Sequence, residues 1–363
     1  MKPLDYAKKA CDTIMNTFTP ETLPPAGFFA YHQGVFLSGM QRTYNLCGDE
    51  KYFNYIKDWV DVVTDPDGTI HDVGNDWVSL KTLDFRQPGI LMFDLYKKLE
   101  NPKYLKIVEY LVESLKNFPK NSVGGFWHME SQPYQMWLDG LYMAGPIMAM
   151  YADLTGKQEF FDMAAHQAIL MYENMHDEKT GLLYHGWDES KQAQWADKTT
   201  GLSANFWGRA CGWYVVAIMD IFSYLPSDHK DRSRLEKIEA DILKSVITFQ
   251  GKNGRWFEVL DKPEAPENWE ENSCSCLFVY AISKAVRKGV LPAEYKKYAD
   301  MGYEGVINSL KYDENGNMLI GDICIGTCID EGTYEHYINR ETVVNDLHGS
   351  GAFVLMCSEY AKL

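Results

Sequence analysis

Basic residues are scarce in this chain: 35 Lys and Arg stand against 51 Asp and Glu, for a formal net charge of −16. A surface that negative repels phosphate backbones and anionic headgroups, so neither nucleic acid nor a membrane is expected as a partner. A small acidic ligand stays compatible, provided a local arginine reverses the field. The opening Met-Lys-Pro-Leu-Asp-Tyr-Ala-Lys-Lys lacks the apolar core of a signal peptide, and a cytoplasmic location is expected. Eight cysteines are present, but Cys274/Cys276 and Cys324/Cys328 do not have the paired Cys-x-x-Cys spacing of a zinc site. They read as structural thiols of a reducing compartment. No glycine loop resembles a phosphate cradle, and the Gly-Arg-Ala-Cys-Gly run around Arg209 is no nucleophile elbow. Without a His-x-x-x-His pair or an acid cluster at ligand spacing, no metal and no cofactor are expected.

What the chain does have is apolar and aromatic residues, 46% and 14% of the total. The stretch from Gln135 to Gly156 organises the rest. Leu141, Met143, Ala144, Ile147, Met148, Ala149 and Ala152 leave it no polar face. A helix of that kind is buried all round, and it is too short to span a bilayer. Gly145-Pro146 is expected to interrupt it.

The same event recurs along the chain. Apolar helices are predicted over 31–47, 84–99, 138–154, 206–225, 274–286 and 346–360. Amphipathic ones follow at 51–63, 102–118, 159–175, 232–249 and 292–310, and residues 3–18 partner the last apolar helix. Links from apolar to amphipathic helices are short, as at Gly48-Asp49 and Thr155-Gly156. The return links are long and aromatic, with short strands expected in 182–187 and 255–260. This repeat predicts an all-α fold, an (α/α)6 barrel formed by residues 1–363 as one domain, with the long links gathered at one face.

Those links carry Tyr31, His32, Asp84, Trp127, His128, Trp137, Asp139, Tyr184, His185, Trp187, Trp207, Arg209, Trp213, Trp256, Trp269 and His348 toward that face. Indoles and carboxylates at a cavity mouth suit a sugar; plugging of the barrel by aromatic loops is the plainer alternative. Asp139 and Asp84 are the paired-carboxylate candidates, each at the start of an apolar helix. Capping alone also explains an acid there. A proton donor at neutral pH needs its pKa raised, so burial beside Trp137 and repulsion between the acids have to overcome the helix terminus. Arg209 begins an apolar helix with no other charge before Asp220 and needs an anion, either a protein carboxylate or a substrate carboxylate gripped bidentately.

Four motifs in order, Gln135-Met-Trp-Leu-Asp-Gly-Leu-Tyr-Met-Ala-Gly-Pro, Tyr184-His-Gly-Trp-Asp, Trp207-Gly-Arg-Ala-Cys-Gly-Trp and Asn345-Asp-Leu-His-Gly-Ser-Gly-Ala-Phe, resemble glycoside hydrolase family 105. These are the unsaturated rhamnogalacturonyl hydrolases, related to the unsaturated glucuronyl hydrolases of family 88. The resemblance implies an (α/α)6 barrel acting on a terminal 4,5-unsaturated uronic acid left by a polysaccharide lyase. It implies Asp139 as general acid/base, joined by Asp84. It implies a sugar site lined by Asp84, His128, His185, Trp207, Arg209 and Trp213, with Tyr31 or His32 beside them; Trp137 and His348 join the substrate-binding candidates by their place on the same face. The partner expected is therefore an unsaturated uronic-acid oligosaccharide. The alternatives are an unsaturated glucuronyl hydrolase, an inverting glycosidase or an epimerase on the same barrel, and a non-catalytic sugar-binding toroid.

Overall fold

The computed structural model describes residues 1–71 and 74–363. Helix α1 spans Pro3–Thr17, α2 Tyr31–Cys47, α3 Glu50–Val63, α4 Leu91–Leu99 and α5 Pro102–Glu113. Next come α6 Asp139–Thr155, α7 Gln158–Met175, α8 Gly208–Phe222, α9 Arg232–Thr248, α10 Asn272–Lys288 and α11 Lys296–Ser309. The short α12, Tyr334–Ile338, precedes α13, Leu347–Tyr360. The inner ring closes on itself. Helix α2 packs on the tight helical turns Leu83–Ile90 that lead into α4, these on α6, α6 on α8, α8 on α10, α10 on α13, and α13 back on α2. Outside it α3, α5, α7, α9, α11 and α1 each pack on the inner helix beside them in the expected pairing. The fold is an (α/α)6 barrel.

Burial explains the two kinds of helix. Every residue of α8 is buried, so its sequence is apolar on all sides. In α3 only one stripe is buried, Tyr52, Phe53, Tyr55, Ile56, Trp59, Val60 and Val63, and charge fills the rest. Each large side chain so buried contributes roughly 1.5–3 kcal/mol, which favours this amphipathic stripe on the ring. The short links close through left-handed caps at Gly48 (φ 70°), Gly156 (74°) and Gly289 (77°), a conformation glycine adopts without steric cost.

Three local expectations are corrected. Helix α6 runs unbroken through Pro146. An added Cβ on Gly145 would lie 2.8 Å from Ile221 Cδ1, so the bare glycine lets α8 press close, and packing on all sides outweighs the one lost backbone bond. The helix expected over 84–99 divides, with 3-10 turns over Leu83–Ile90 around Pro88 before α4 begins. The loop strands are shorter than read: Gly186–Asp188 pairs with Gln135–Trp137, and Trp256–Phe257 with Glu270–Glu271. At the barrel end where the inner helices finish, Asp220 is gripped by Arg42 at 2.6 Å and Lys284 at 2.5 Å. No helix among the described residues is long and apolar enough to cross a membrane.

Candidate active site

The opposite end holds a cavity of about 170 Å³ lined by Tyr31, His32, Asp84, His128, Trp137 and Asp139, with Met129, Met143 and Gly326–Cys328 among its walls. One backbone device builds it twice. The N–H of Leu83 donates to the carbonyl of His128 (3.0 Å), and the N–H of Leu138 to that of His185 (3.1 Å). Each bond ties the residue just before an acid to a histidine of the following long link. The side chains then meet: His128 Nε2 stands 3.4 Å from Asp84 Oδ1, and His185 Nε2 3.2 Å from Asp139 Oδ2. Trp137 lies flat on His128, ring centroids 4.4 Å apart.

The two acids differ in charge state. Burial first, and then the charge of Asp139, push Asp84 up to about 7. Burial also acts on Asp139, but its contact with His185, the influence of His128 and its own backbone outweigh it and hold this carboxyl below its ordinary value. The pKa elevation anticipated for Asp139 is thus found on Asp84. Burial lowers His128 to about 4, which makes it a neutral ring at physiological pH. Near neutral pH Asp139 is therefore ionised while Asp84 stands close to its midpoint, and any proton the pair holds rests on Asp84.

A third turn of the same device, Gly208 N–H to the carbonyl of Glu258 (2.8 Å), carries Arg209 and inverts the charges. Arg209 does not line the cavity. Its guanidinium donates to the carbonyls of Cys324 and, at 2.8 Å, Ile325, and stacks on Trp207, so one peptide layer roofs it over. The carboxyl groups that act on it are those of the buried Glu271 and Glu258. Trp207 donates to Glu258 Oε1 (2.8 Å) and packs against His185, while Trp213 lies behind Tyr142 at 4.5 Å. His348 stands behind Tyr31, at 2.6 Å from its hydroxyl. Trp256 faces away from the site, its indole N–H bonded to the Val246 carbonyl (2.8 Å).

Two site residues escaped the sequence reading. Tyr337, on α12, bonds His185 Nδ1 through its hydroxyl at 2.8 Å, and nothing local marks it. Glu258 did have a signal: Gly124, Gly181 and Gly254 all take positive φ, and the fourth residue after each is His128, His185 and Glu258. Far from the cavity, Asp162, His229 and Asp231 bring ligand atoms within 4.8 Å, a grouping that sequence spacing hides. The Lys230 ammonium, 2.7 Å from Asp162, supplies a positive charge there.

Glu258 is pushed up to about 8 by burial and by Glu271. Between its ordinary 4.5 and about 8 the folded chain keeps a proton that the unfolded chain releases. Its contribution to stability is therefore complete below the ordinary value and is lost as pH rises through about 8. Glu258→Gln keeps the shape and the acceptor for Trp207. Thermal midpoints across this range should show the variant gaining on the native protein as pH rises; parallel curves would mean that Glu258 is ionised in the fold.

The sequence profile of Glycosyl Hydrolase Family 88 matches residues 6–363. The chain is 25% identical over 319 residues to the unsaturated rhamnogalacturonyl hydrolase YesR of Bacillus subtilis, covering 86% of this chain and 85% of that one. Among solved structures, a glycoside hydrolase from family 105 of C. acetobutylicum superposes with a TM-score of 0.93 at 35% identity, covering 99% of both chains. An unsaturated glucuronyl hydrolase from Bacillus sp. GL1 shares the fold, with a TM-score of 0.68 at 13% identity, covering 90% of this chain and 85% of that one.

Proposed function

The chain belongs to Glycosyl Hydrolase Family 88, and from that premise we propose that it removes a terminal 4,5-unsaturated uronic acid, of the galacturonyl type, from lyase-generated pectin or rhamnogalacturonan fragments. Residues 1–363 act as one catalytic unit in this reading. The observation that carries it is the pair Asp84 and Asp139, set at equivalent points of the repeat and sharing one cavity, with Asp139 ionised and Asp84 poised to gain or lose a proton near neutral pH. Trp137 offers an apolar wall for a sugar ring beside them. The likeness to the unsaturated rhamnogalacturonyl hydrolase of Bacillus subtilis supports the rhamnogalacturonyl type.

The chemistry follows from the substrate's electrons. Its C4=C5 bond is a vinyl ether, so a proton added at C4 leaves positive charge at C5 that the ring oxygen shares. Asp139 delivers that proton, and Asp84, which holds the pair's proton in the resting site, loads it. Water then attacks C5 and gives a proton to the Asp139 carboxylate. The resulting hemiketal opens and releases the neighbouring sugar. One acid serves both steps, so the carboxylate spacing of ordinary glycosidases does not govern here.

The test is incubation with lyase-digested pectin, without added cofactor, while the ultraviolet band of the conjugated uronate is followed. Decay of that band together with release of the neighbouring sugar is the expected result. Release of sugar with the band intact would replace hydration by ordinary glycoside hydrolysis, and no change in either would leave a sugar-binding barrel.

A further inference from the structure

Behind Tyr31 stands a line of groups that the proton transfer just described leaves unused. Tyr31 opens α2 and lines the cavity, with its hydroxyl 2.6 Å from Nε2 of His348. The other ring nitrogen, Nδ1, is held by the carboxylate of Asp346, the residue that caps α13. His348 is buried, and the ring of His32 closes over the pair at 4.1 Å from Tyr31 and 4.4 Å from His348. Burial opposes ionisation of Asp346, but its bonds and proximity to His348 hold the carboxyl far below its ordinary range.

An ionised carboxylate can only accept, so in the neutral ring Nδ1 carries the one imidazole proton and Nε2 is left as an acceptor. The Tyr31 hydroxyl must then donate backward, into the protein. Its oxygen shows the cavity lone pairs and no hydrogen. It is a fixed acceptor in a space where Asp84 and Asp139 also stand, close enough for both their charges to act on it.

We propose that Tyr31 is a further catalytic residue, whose oxygen, made a pure acceptor by His348 and Asp346, positions the water that attacks C5. The inference rests on the hydration reading above. A water that donates one hydrogen to Asp139 and the other to Tyr31 keeps a lone pair free for carbon, and two acceptors fix its direction. In the attack the oxygen–carbon bond forms and one proton passes to Asp139; Tyr31 keeps its own. His348 and Asp346 are positioning residues that act through Tyr31.

The experiment measures kcat and KM on an unsaturated disaccharide for the native chain, Tyr31→Phe, His348→Phe and the double variant. Tyr31→Phe removes one oxygen. His348→Phe keeps a flat ring and leaves the backbone N–H of residue 348 bonded to Asp346, the cap of α13. It removes the Nε2 acceptor, so the tyrosine hydrogen is no longer held backward and can turn into the cavity. Each single variant should lose about ten- to a hundredfold in kcat with KM within about threefold, the mark of an interaction made in the transition state. In the double variant the loss should be no greater than in Tyr31→Phe alone.

A rise in KM at unchanged kcat would overturn the proposal and make Tyr31 a substrate contact. Multiplying losses in the double variant would also overturn it, by showing that His348 acts independently of Tyr31. A native chain that leaves the unsaturated uronate untouched would remove the hydration reading itself, an outcome visible before any variant is made.

Discussion

Replacing Asp139 by asparagine should lower kcat on an unsaturated disaccharide by at least about a hundredfold, the lower end of what a positioned acid/base contributes. KM should change little, because the cavity walls, Trp137 and His128 among them, are untouched. The companion variant Asp84→Asn should fall as well, since it removes the group on which the pair's proton rests. The pH dependence distinguishes the two. In the native chain the rate should fall as pH rises through about 7, where Asp84 gives up its proton. Asp139→Asn deletes the neighbouring charge that helps raise Asp84, so its residual activity should decline at lower pH. An Asp139→Asn variant that kept most of its rate would reduce this acid to a helix-start residue, and the proton would have to come from Asp84 alone.

Arg209→Met should destabilise the fold by about 3–5 kcal/mol, the usual cost of removing one member of a buried charged group. Two carbonyls, of Cys324 and Ile325, lose their donor, and the buried Glu271 loses a nearby cation. The effect on substrate choice should be modest. Were the fork clasping the substrate carboxylate directly, its loss would cost roughly 2–5 kcal/mol of discrimination between a uronate and its carboxyl-reduced analogue. With the fork committed to backbone carbonyls, the preference should change by less than about tenfold. Denaturation midpoints and kcat/KM on both sugars separate the cases. Undiminished stability with a lost preference would mean that Arg209 abandons the loop for the substrate. Arg209→Lys should be intermediate in stability, since an ammonium cannot reach both carbonyls in the planar geometry of the guanidinium.

The parts of this molecule that repeat were legible in its sequence. Apolar helices alternating with one-sided helices follow from burial alone, because an inner helix meets protein on every side and an outer one only on a stripe. That pattern predicted the ring, the pairing of its layers and the face on which Asp84, Asp139, His128 and Trp137 meet. The helix starts put both acids at one end, since each stands where a long link enters an inner helix.

What only the tertiary structure decided lies between residues distant in the chain. Whether Asp84 or Asp139 keeps the proton depends on which histidine touches which acid, and His185 tips that balance from the next link. The partner of Arg209 depends on the loop through Cys324–Cys328, whose irregular sequence has no period to read and whose carbonyls happen to lie over the guanidinium. Tyr337 and the Asp346–His348–Tyr31 line are similar cases, built by side chains from separate helices. Periodicity records how much of a helix is buried. It carries no information on hydrogen-bond partners or local fields, which are set by distances of a few ångströms that exist only once the ring has closed.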